Sequence, residues 1–184
     1  MECGVQGVFM YDAYRSAVAL CLGWLLGLAP FPGMVANAST SEVVRFESKV
    51  APGTIVVHTS ERRLYLVLGN GRALRYVVGV GRAGEQWSGT SRIEGKFIRP
   101  HWAPPPEIRR DRPNLPAVIA SGSPANPMGA AALTLSGGSF AIHGTNKPNS
   151  IGGFVSYGCI RMHNDDILDL YDRVRVGTRV VVTR

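Results

Sequence analysis

The stretch AIHGTNKPNSIGGFVSYGCIR, residues 141–161, holds a histidine and a cysteine that can form a catalytic pair. A thiol becomes a strong nucleophile when a base removes its proton, and imidazole is the usual base. Segments 139–142 and 154–155 have the composition of strands, and the loop between them is rich in Asn, Ser, Pro and Gly. We expect a hairpin-like connection to return Cys159 to His143.

Cys159 also has a structural interpretation, because free cysteine is among the residues that proteins bury most often. The adjacent Gly158 favours a functional thiol, since its backbone freedom lets a substrate approach the sulfur. A zinc or redox site is not predicted, because the chain has no C-x-x-C motif and its other histidines lack zinc spacing: His58, His101 and His163.

The letters HGT at 143–145 and SYGCIR at 156–161 resemble the signature of the L,D-transpeptidase catalytic domain, also called the YkuD domain. Other segments that resemble this family are 87–90, 102–105, 115–116, 126–129 and 164–182. The resemblance covers residues 51–183. It implies a single mixed β-sandwich domain in which Cys159 is the nucleophile, His143 is the base and the Gly144 carbonyl orients the imidazole.

The resemblance further implies an exported L,D-transpeptidase without metal or cofactor. Cys159 would attack a peptidoglycan stem peptide between an L-centre of diaminopimelate and D-alanine. A second stem, or a lysine of a wall-anchored protein, would then accept the acyl group. Three alternatives stay open: an L,D-carboxypeptidase that uses water, a cysteine protease of another fold, and a non-catalytic wall-binding module.

The turn before the cysteine supplies candidate substrate-binding groups. An oxyanion that forms during acyl transfer needs hydrogen-bond donors already in place. The backbone N–H groups of Tyr157, Gly158 and Cys159 are the candidates, because the chain turns at these residues. Ser156 can contact the substrate or can hydrogen-bond within the turn.

Arg161 and Trp102 complete the expected site. Arg161 lies two positions after Cys159 and can hold a substrate carboxylate through its planar guanidinium, or it can pair with Asp165 or Asp166. Trp102 lies in the proline-rich segment 99–130, which is long for a connection inside one domain. We expect this segment to be an ordered cover over the site, whereas composition alone would equally suit a flexible surface excursion.

Three positions depart from the family pattern. Tyr157 replaces a histidine that many members have before the Gly-Cys pair. Ala131 and Thr134 lie where an arginine and then an aromatic residue are common. We expect these differences to alter substrate contacts while His143 keeps its role.

The N-terminal region, residues 1–38, has the pattern of a secretory signal peptide. Arg15 precedes the apolar run 17–29, and an A-x-A cleavage site at 36–38 follows. Translation from Met10 would give a more typical signal, and an uncleaved membrane anchor is the alternative. Cleavage would remove Cys3 and Cys21 and leave Cys159 alone. The protein would then be in the periplasm or cell envelope, with 39–50 as a linker.

The formal net charge of +7 favours an anionic partner such as cell-wall polymer. Nucleic acid is not expected, because the basic residues are scattered and no recognition motif is present. We expect a monomer.

Strand patterns dominate the rest of the chain. Segments 54–58, 63–68, 73–78, 93–98 and 179–182 are predicted strands, and Asn70-Gly71 predicts a hairpin turn. Segment 130–135 fits either a strand or a helical turn. One helix is predicted after Asn164, which we expect to cap it. The fold class is therefore mainly β, with one helix in the C-terminal region.

Overall fold

The computed structural model describes residues 41–184, and the predicted signal peptide at residues 1–38 lies outside them. The strands are β1 (Glu42–Arg45), β2 (Ile55–His58), β3 (Arg63–Gly69), β4 (Arg72–Val77), β5 (Val80–Gly81), β6 (Gly89–Ile98), β7 (Ala131–Leu135), β8 (Ala141–His143), β9 (Phe154–Ser156), β10 (Ile160–Arg161) and β11 (Arg179–Thr183). The helices are α1 (Pro106–Asp111) and α2 (Asn164–Arg173), and a 3₁₀ turn spans Pro148–Ser150. Within residues 41–184, no helix is long and apolar enough to cross a membrane.

The predicted Asn-Gly hairpin joins β3 to β4. Asn70 has a φ of 53° and Gly71 a φ of 67°, which is the left-handed backbone that this dipeptide tolerates. β2 pairs antiparallel with β3, and β3 pairs antiparallel with β4. These three strands form a meander whose β-branched and aromatic side chains suit a pleated surface.

Long strand β6 joins the two halves of the β-structure. Its residues 89–92 pair with β11, and its residues 93–98 pair with β7, with a shift in register between Ile93 and Gly95. β11 runs parallel to β2 and antiparallel to β6, so the sheet is mixed. The complete order is β1-β4-β3-β2-β11-β6-β7-β8-β10, and β5 and β9 form a separate parallel pair. The mainly β, mixed fold predicted from the sequence is confirmed.

Both halves of the sheet and α2 bury their apolar side chains in one cluster. Val57 and Tyr76 come from the meander, Leu133 and Ile142 come from β7 and β8, and Ile167 comes from α2. α2 packs on β7 and β8, and Ile142 and Ile160 belong to the same apolar cluster, so the core fixes both ends of the 141–161 stretch.

Segment 39–50, expected to be a linker, is part of the folded sheet from residue 42 onward. β1 pairs antiparallel with β4, with Val44 opposite Ala73. Val44, Phe46 and Val50 pack against a second apolar cluster of Val56, Tyr65, Val67 and Ala73. The physical reason is that the meander has an apolar outer face, which these three side chains remove from water.

The proline-rich segment 99–130 is ordered by its own hydrogen bonds. Trp102 and Ile119 exchange two backbone bonds of 2.9 and 2.8 Å, and the buried Asn126 amide donates to the Pro100 carbonyl over 2.8 Å. Short helix α1, which the sequence did not predict, begins where Pro106 occupies the first helical turn. The alternative of a flexible excursion is therefore wrong for this segment.

Asn164 does not cap α2 as expected. The N-cap is His163, without a side-chain hydrogen bond, and Asn164 is the first helical residue. Its side chain instead bonds the backbone near His143, as described below. Segment 130–135, for which a strand and a helical turn were both expected, forms strand β7, which pairs antiparallel with β6 on one side and β8 on the other.

Candidate active site

Strands β8 and β10 bring Cys159 and His143 together. The two strands are parallel neighbours, with Ile160 opposite Ile142 and Arg161 opposite His143. Cys159, one residue before β10, therefore lies beside Ala141, whose backbone lies within hydrogen-bonding reach of the thiol. The expected hairpin is wrong in direction, because the chain passes through β9, which pairs with β5, before it returns parallel to β8. Both side chains line one cavity of about 530 Å³.

His143 is buried and neutral. Its Nδ1 lies 2.7 Å from the Gly144 carbonyl oxygen. Burial first, and the positive charge of Arg161 second, lower the pKa of His143 to about 4, although the Gly144 and Pro127 carbonyls act in the opposite direction. Because Nδ1–H donates to Gly144, Nε2 carries the free lone pair, and His143 can accept a proton at neutral pH.

The Gly144 carbonyl is held in place from behind by Asn164. Asn164 Oδ1 accepts hydrogen bonds of 3.0 Å from the N–H groups of Ala130 and Thr145, and its Nδ2 donates to the Thr145 carbonyl over 3.1 Å. The Gly144 carbonyl and the Thr145 N–H belong to one planar trans peptide and point in opposite directions. Asn164 therefore directs the carbonyl toward His143. A Cβ on Gly144 would lie 2.3 Å from Asn164 Oδ1, so this packing needs glycine.

The Cys159 thiol is neutral in the free site. Burial raises its pKa, and the Ala141 backbone and the Arg161 charge only partly counteract burial. The raised pKa of the thiol and the lowered pKa of His143 both disfavour a preformed thiolate–imidazolium pair. The geometry instead suits general-base catalysis, in which His143 takes the thiol proton while sulfur attacks.

Ser156 shapes the turn that carries Cys159. Its buried hydroxyl donates to the Cys159 carbonyl over 2.6 Å and accepts from the Gly158 N–H over 3.1 Å. Since the Gly158 N–H is occupied in this way, it drops out of the three expected oxyanion donors. The N–H groups of Tyr157 and Cys159 have no acceptor among the hydrogen bonds of residues 41–184. Those two groups are free to bind an oxyanion.

Tyr157 connects the cysteine turn to α1. Its hydroxyl donates to Asp111 Oδ2 over 2.6 Å, and Arg82 donates to the same oxygen over 3.1 Å. The Arg82 guanidinium also lies 3.9 Å from the centre of the Tyr157 ring. The Tyr157 and Arg82 hydrogen bonds lower the pKa of Asp111, so this link is ionised at neutral pH.

Arg161 lines the cavity that contains Cys159 and His143. It also lines a second cavity of about 360 Å³, to which Arg112 and Lys147 contribute further positive charge. Its Nε is buried and has no hydrogen-bond partner among residues 41–184. Burial lowers the pKa of Arg161; among charged groups, Cys159 raises it and Arg112 lowers it. Neither is an aspartate of α2, so the geometry gives no support to the pairing with Asp165 or Asp166. A buried unpaired donor beside a second arginine suits an anionic ligand.

The comparison with known domains agrees with this geometry. The YkuD family model, an L,D-transpeptidase catalytic domain, matches residues 52–182. The chain belongs to the YkuD family. It is 42% identical over 137 residues to the probable L,D-transpeptidase ErfK/SrfK of Escherichia coli, and this match covers 70% of the chain and 43% of the relative. It is 36% identical over 134 residues to an L,D-transpeptidase homologue of Bacillus subtilis, YqjB, with 70% of each protein covered.

Solved structures show the same fold. An L,D-transpeptidase from Mycobacterium smegmatis superposes with a TM-score of 0.56 at 19% identity, over 73% of this chain and 59% of that one. A mutant L,D-transpeptidase from Enterococcus faecium gives 0.58 at 15% identity, over 73% and 50%. The chain thus spans less than half the length of ErfK/SrfK and between 50% and 59% of these two solved chains.

The positions that depart from the YkuD pattern have different surroundings. Thr134 lines the cavity that contains Cys159, so its small side chain leaves room there. Ala131 is fully buried in the core and does not line that cavity among the described residues, so alanine at this position makes no direct contact there. Trp102 lines both cavities, as a substrate-binding residue would.

Sequence reasoning missed two aromatic residues behind the YkuD-family cysteine turn. Trp87 Nε1 donates to the Gly158 carbonyl over 3.0 Å. The Trp87 and Phe140 rings stack with centroids 5.1 Å apart and an interplanar angle of 5°. Gly158 has a φ of 107°, and a Cβ there would lie 2.4 Å from Phe140 Cε1. The sequence indicated Trp87 only in part, because segment 87–90 carries the family resemblance, but nothing in the sequence showed that Trp87 contacts Gly158.

Proposed function

We propose that this protein is an exported L,D-transpeptidase that forms an acyl-enzyme between Cys159 and a peptidoglycan stem peptide. The observation that supports this function best is the convergence of a buried, neutral His143 and Cys159 in one cavity. A neutral imidazole with a fixed tautomer can act as base for the thiol. Family membership supports the same reaction class.

In the first half-reaction, Cys159 Sγ attacks the carbonyl that joins the L-centre of diaminopimelate to D-alanine. His143 Nε2 takes the thiol proton as the carbon–sulfur bond forms. The N–H groups of Tyr157 and Cys159 hold the oxyanion. The carbon–nitrogen bond then breaks, His143 gives its proton to the leaving amine, and D-alanine departs from a thioester.

In the second half-reaction, an amine attacks the thioester and His143 carries its proton back to the thiolate. The amine belongs to a second stem, which gives a cross-link, or to a lysine of a wall-anchored protein. The ordered segment 99–130 lines the cavity through Trp102, Pro105 and Ile108. A covered site limits the access of water, which favours amine transfer over hydrolysis.

Arg161 holds a carboxylate of the donor stem. The leaving D-alanine ends in a carboxylate, and the diaminopimelate side arm carries another. The unpartnered Nε of Arg161 and the nearby charge of Arg112 support an anion at this position. The second cavity extends past this point toward Lys147, which offers a further positive charge to an anionic stem.

We place the enzyme in the periplasm or cell envelope, on the pattern of residues 1–38 and on the location of its substrate, and we propose that it acts as a monomer. Among residues 41–184, no group of His, Cys, Asp and Glu side chains is arranged to bind a metal ion. The proposed chemistry uses only side chains and backbone of this chain.

The test is to incubate the protein with tetrapeptide muropeptides and to weigh the products. Cross-linked dimers that are absent with Cys159→Ala would establish transfer. Shortened monomers without dimers would identify an L,D-carboxypeptidase. Unchanged muropeptides, together with retention on insoluble wall, would reject catalysis in favour of a wall-binding module.

A further inference from the structure

The peptide bond between Gly158 and Cys159 is fixed from the side away from the cavity. Trp87 Nε1 donates to the Gly158 carbonyl over 3.0 Å. Phe140, Tyr157 and Cys159 line the cavity, whereas Trp87 is not among the described residues that line it. The indole therefore reaches the cysteine turn from behind and does not take up space that a substrate needs.

The orientation of this peptide decides where the Cys159 N–H points. The chain has no cis peptide among the described residues, so the Gly158 carbonyl and the Cys159 N–H point in opposite directions. With the carbonyl bonded to Trp87, the N–H points away from the indole. This N–H is one of the two that remain free for an oxyanion, because Ser156 occupies the Gly158 N–H.

A glycine before the cysteine makes this orientation easy to lose. Gly158 has a φ of 107°, and glycine adopts either sign of φ at little cost. Stacking of Phe140 on Trp87 and contact of Phe140 with Gly158 restrict the position of the turn, but a stacked ring does not choose between two orientations of a peptide. The indole N–H does choose, because it bonds a carbonyl and repels an N–H.

We propose that Trp87 is a positioning residue for acyl transfer: its indole N–H holds the Gly158–Cys159 peptide in the orientation that offers the Cys159 N–H to the oxyanion. This inference rests on the proposed acyl-enzyme function. Removal of one oxyanion donor typically costs about 100- to 1000-fold in rate. Because Trp87 acts through the peptide, we expect its loss to cost about 10- to 100-fold, which is part of that effect.

The test compares two reactions of the same thiol. An activated phenyl ester acylates Cys159: sulfur attacks the carbonyl, an oxyanion forms, and phenolate leaves. Iodoacetamide alkylates Cys159: sulfur displaces iodide at carbon and no oxyanion forms. The ratio of the two rates therefore reports oxyanion stabilisation separately from the reactivity and exposure of the thiol.

Trp87→Phe keeps an aromatic ring to stack on Phe140 and removes the N–H donor. We expect its acylation rate to fall about 10- to 100-fold, with alkylation changed less than twofold. Benzothienylalanine at position 87 is the matched variant, because sulfur replaces the indole N–H while both rings remain. Its acylation rate should fall as that of Trp87→Phe does. If Trp87→Phe melts at a lower temperature than the wild type, the benzothienylalanine variant separates loss of the N–H donor from loss of packing.

Two results would overturn the proposal: equal losses in both reactions, which would show a general effect on the thiol or the fold, and no loss in either. Neither reaction uses a stem peptide. If the contrast appears but muropeptides remain unchanged, the positioning role stands and the proposed substrate is wrong. If Trp87→Phe and the benzothienylalanine variant both cross-link muropeptides as fast as the wild type, the proposed function stands and the role of Trp87 is rejected.

Discussion

Substitution of Arg161 separates a substrate-binding role from a structural one. In the free site, Arg161 Nε is buried without a hydrogen-bond partner among the described residues. Arg161→Met therefore breaks no bond at this atom and removes an unsatisfied donor, which itself costs about 1–3 kcal/mol when buried. We expect the melting temperature of Arg161→Met to be unchanged or higher than that of the wild type.

The kinetic effect should be a loss. A hydrogen bond to a charged group contributes about 1.5–3 kcal/mol, which corresponds to about 10- to 100-fold in kcat/KM for the donor stem. Arg161→Lys keeps the positive charge but not the planar pair of donors, so it should recover only part of this loss.

The assay uses three donors that differ in one group each. The first is the unmodified stem, the second has an amidated D-alanine carboxyl and the third has an amidated diaminopimelate side arm. If Arg161 binds one of these carboxylates, amidation of that group should lower kcat/KM for the wild type and should cause little further loss in Arg161→Met. If Arg161→Met lowers kcat/KM equally for all three donors, or if it leaves the kinetics normal and lowers the stability, Arg161 does not bind a substrate carboxylate.

Three further changes test the catalytic pair and its support. Cys159→Ala should abolish acylation. Iodoacetamide should label wild-type Cys159 slowly at pH 7 and faster at higher pH, because burial raises the pKa of the thiol. Rapid labelling at neutral pH would contradict this raised pKa. The pKa of His143 is about 4 in the folded protein against 6.5 as its ordinary value, so kcat/KM should keep its acid limb near pH 4. The unfolded chain binds this proton first as the pH falls, so between pH 6.5 and 4 the stability should fall by about 3 kcal/mol, a loss that denaturant titrations should not find in His143→Gln. Asn164→Ala should lower the unfolding free energy by about 2–4 kcal/mol through three lost hydrogen bonds, and kcat should fall more than the change in KM explains; a less stable variant with normal kcat would limit Asn164 to a structural role.

The sequence was most informative where one residue type has one chemical use. The single cysteine outside the predicted signal, with His143 before it, predicted two residues that the structure places in one cavity, and Asn70-Gly71 identified a hairpin because few other dipeptides accept that backbone. Strand patterns identified the fold class because alternation of apolar residues is local. They did not show that β8 and β10 run parallel, since direction depends on where the intervening chain, β9, finds its partner β5.

Contacts between distant segments were beyond the reach of the sequence. Asn164 looks like a helix cap because it precedes an amphipathic segment, but its side chain is used to fix the Gly144–Thr145 peptide. The sequence indicates Trp87 only as part of segment 87–90, which resembles the family, and its indole N–H bonds a carbonyl in the cysteine turn. In both cases the partner lies in a distant segment of the chain, and only the three-dimensional packing brings the side chain to it.

The raised pKa of Cys159 affects how fast the thiol is oxidised in the cell envelope, where we propose that the protein acts. Thiolate is the form that oxidants attack, so a raised pKa at Cys159 slows oxidation in the compartment that we propose. The same burial lowers the pKa of His143, which keeps the base free of a proton until a substrate is present. Activation then depends on a bound substrate, because the developing oxyanion gives the free N–H groups of Tyr157 and Cys159 a partner that the empty site lacks. The burial that makes the resting thiol unreactive is therefore compatible with acylation, because the charge formed in the transition state meets N–H donors in a turn that Trp87 and Ser156 hold in place. Asn164 fixes the Gly144 carbonyl, which orients the His143 base.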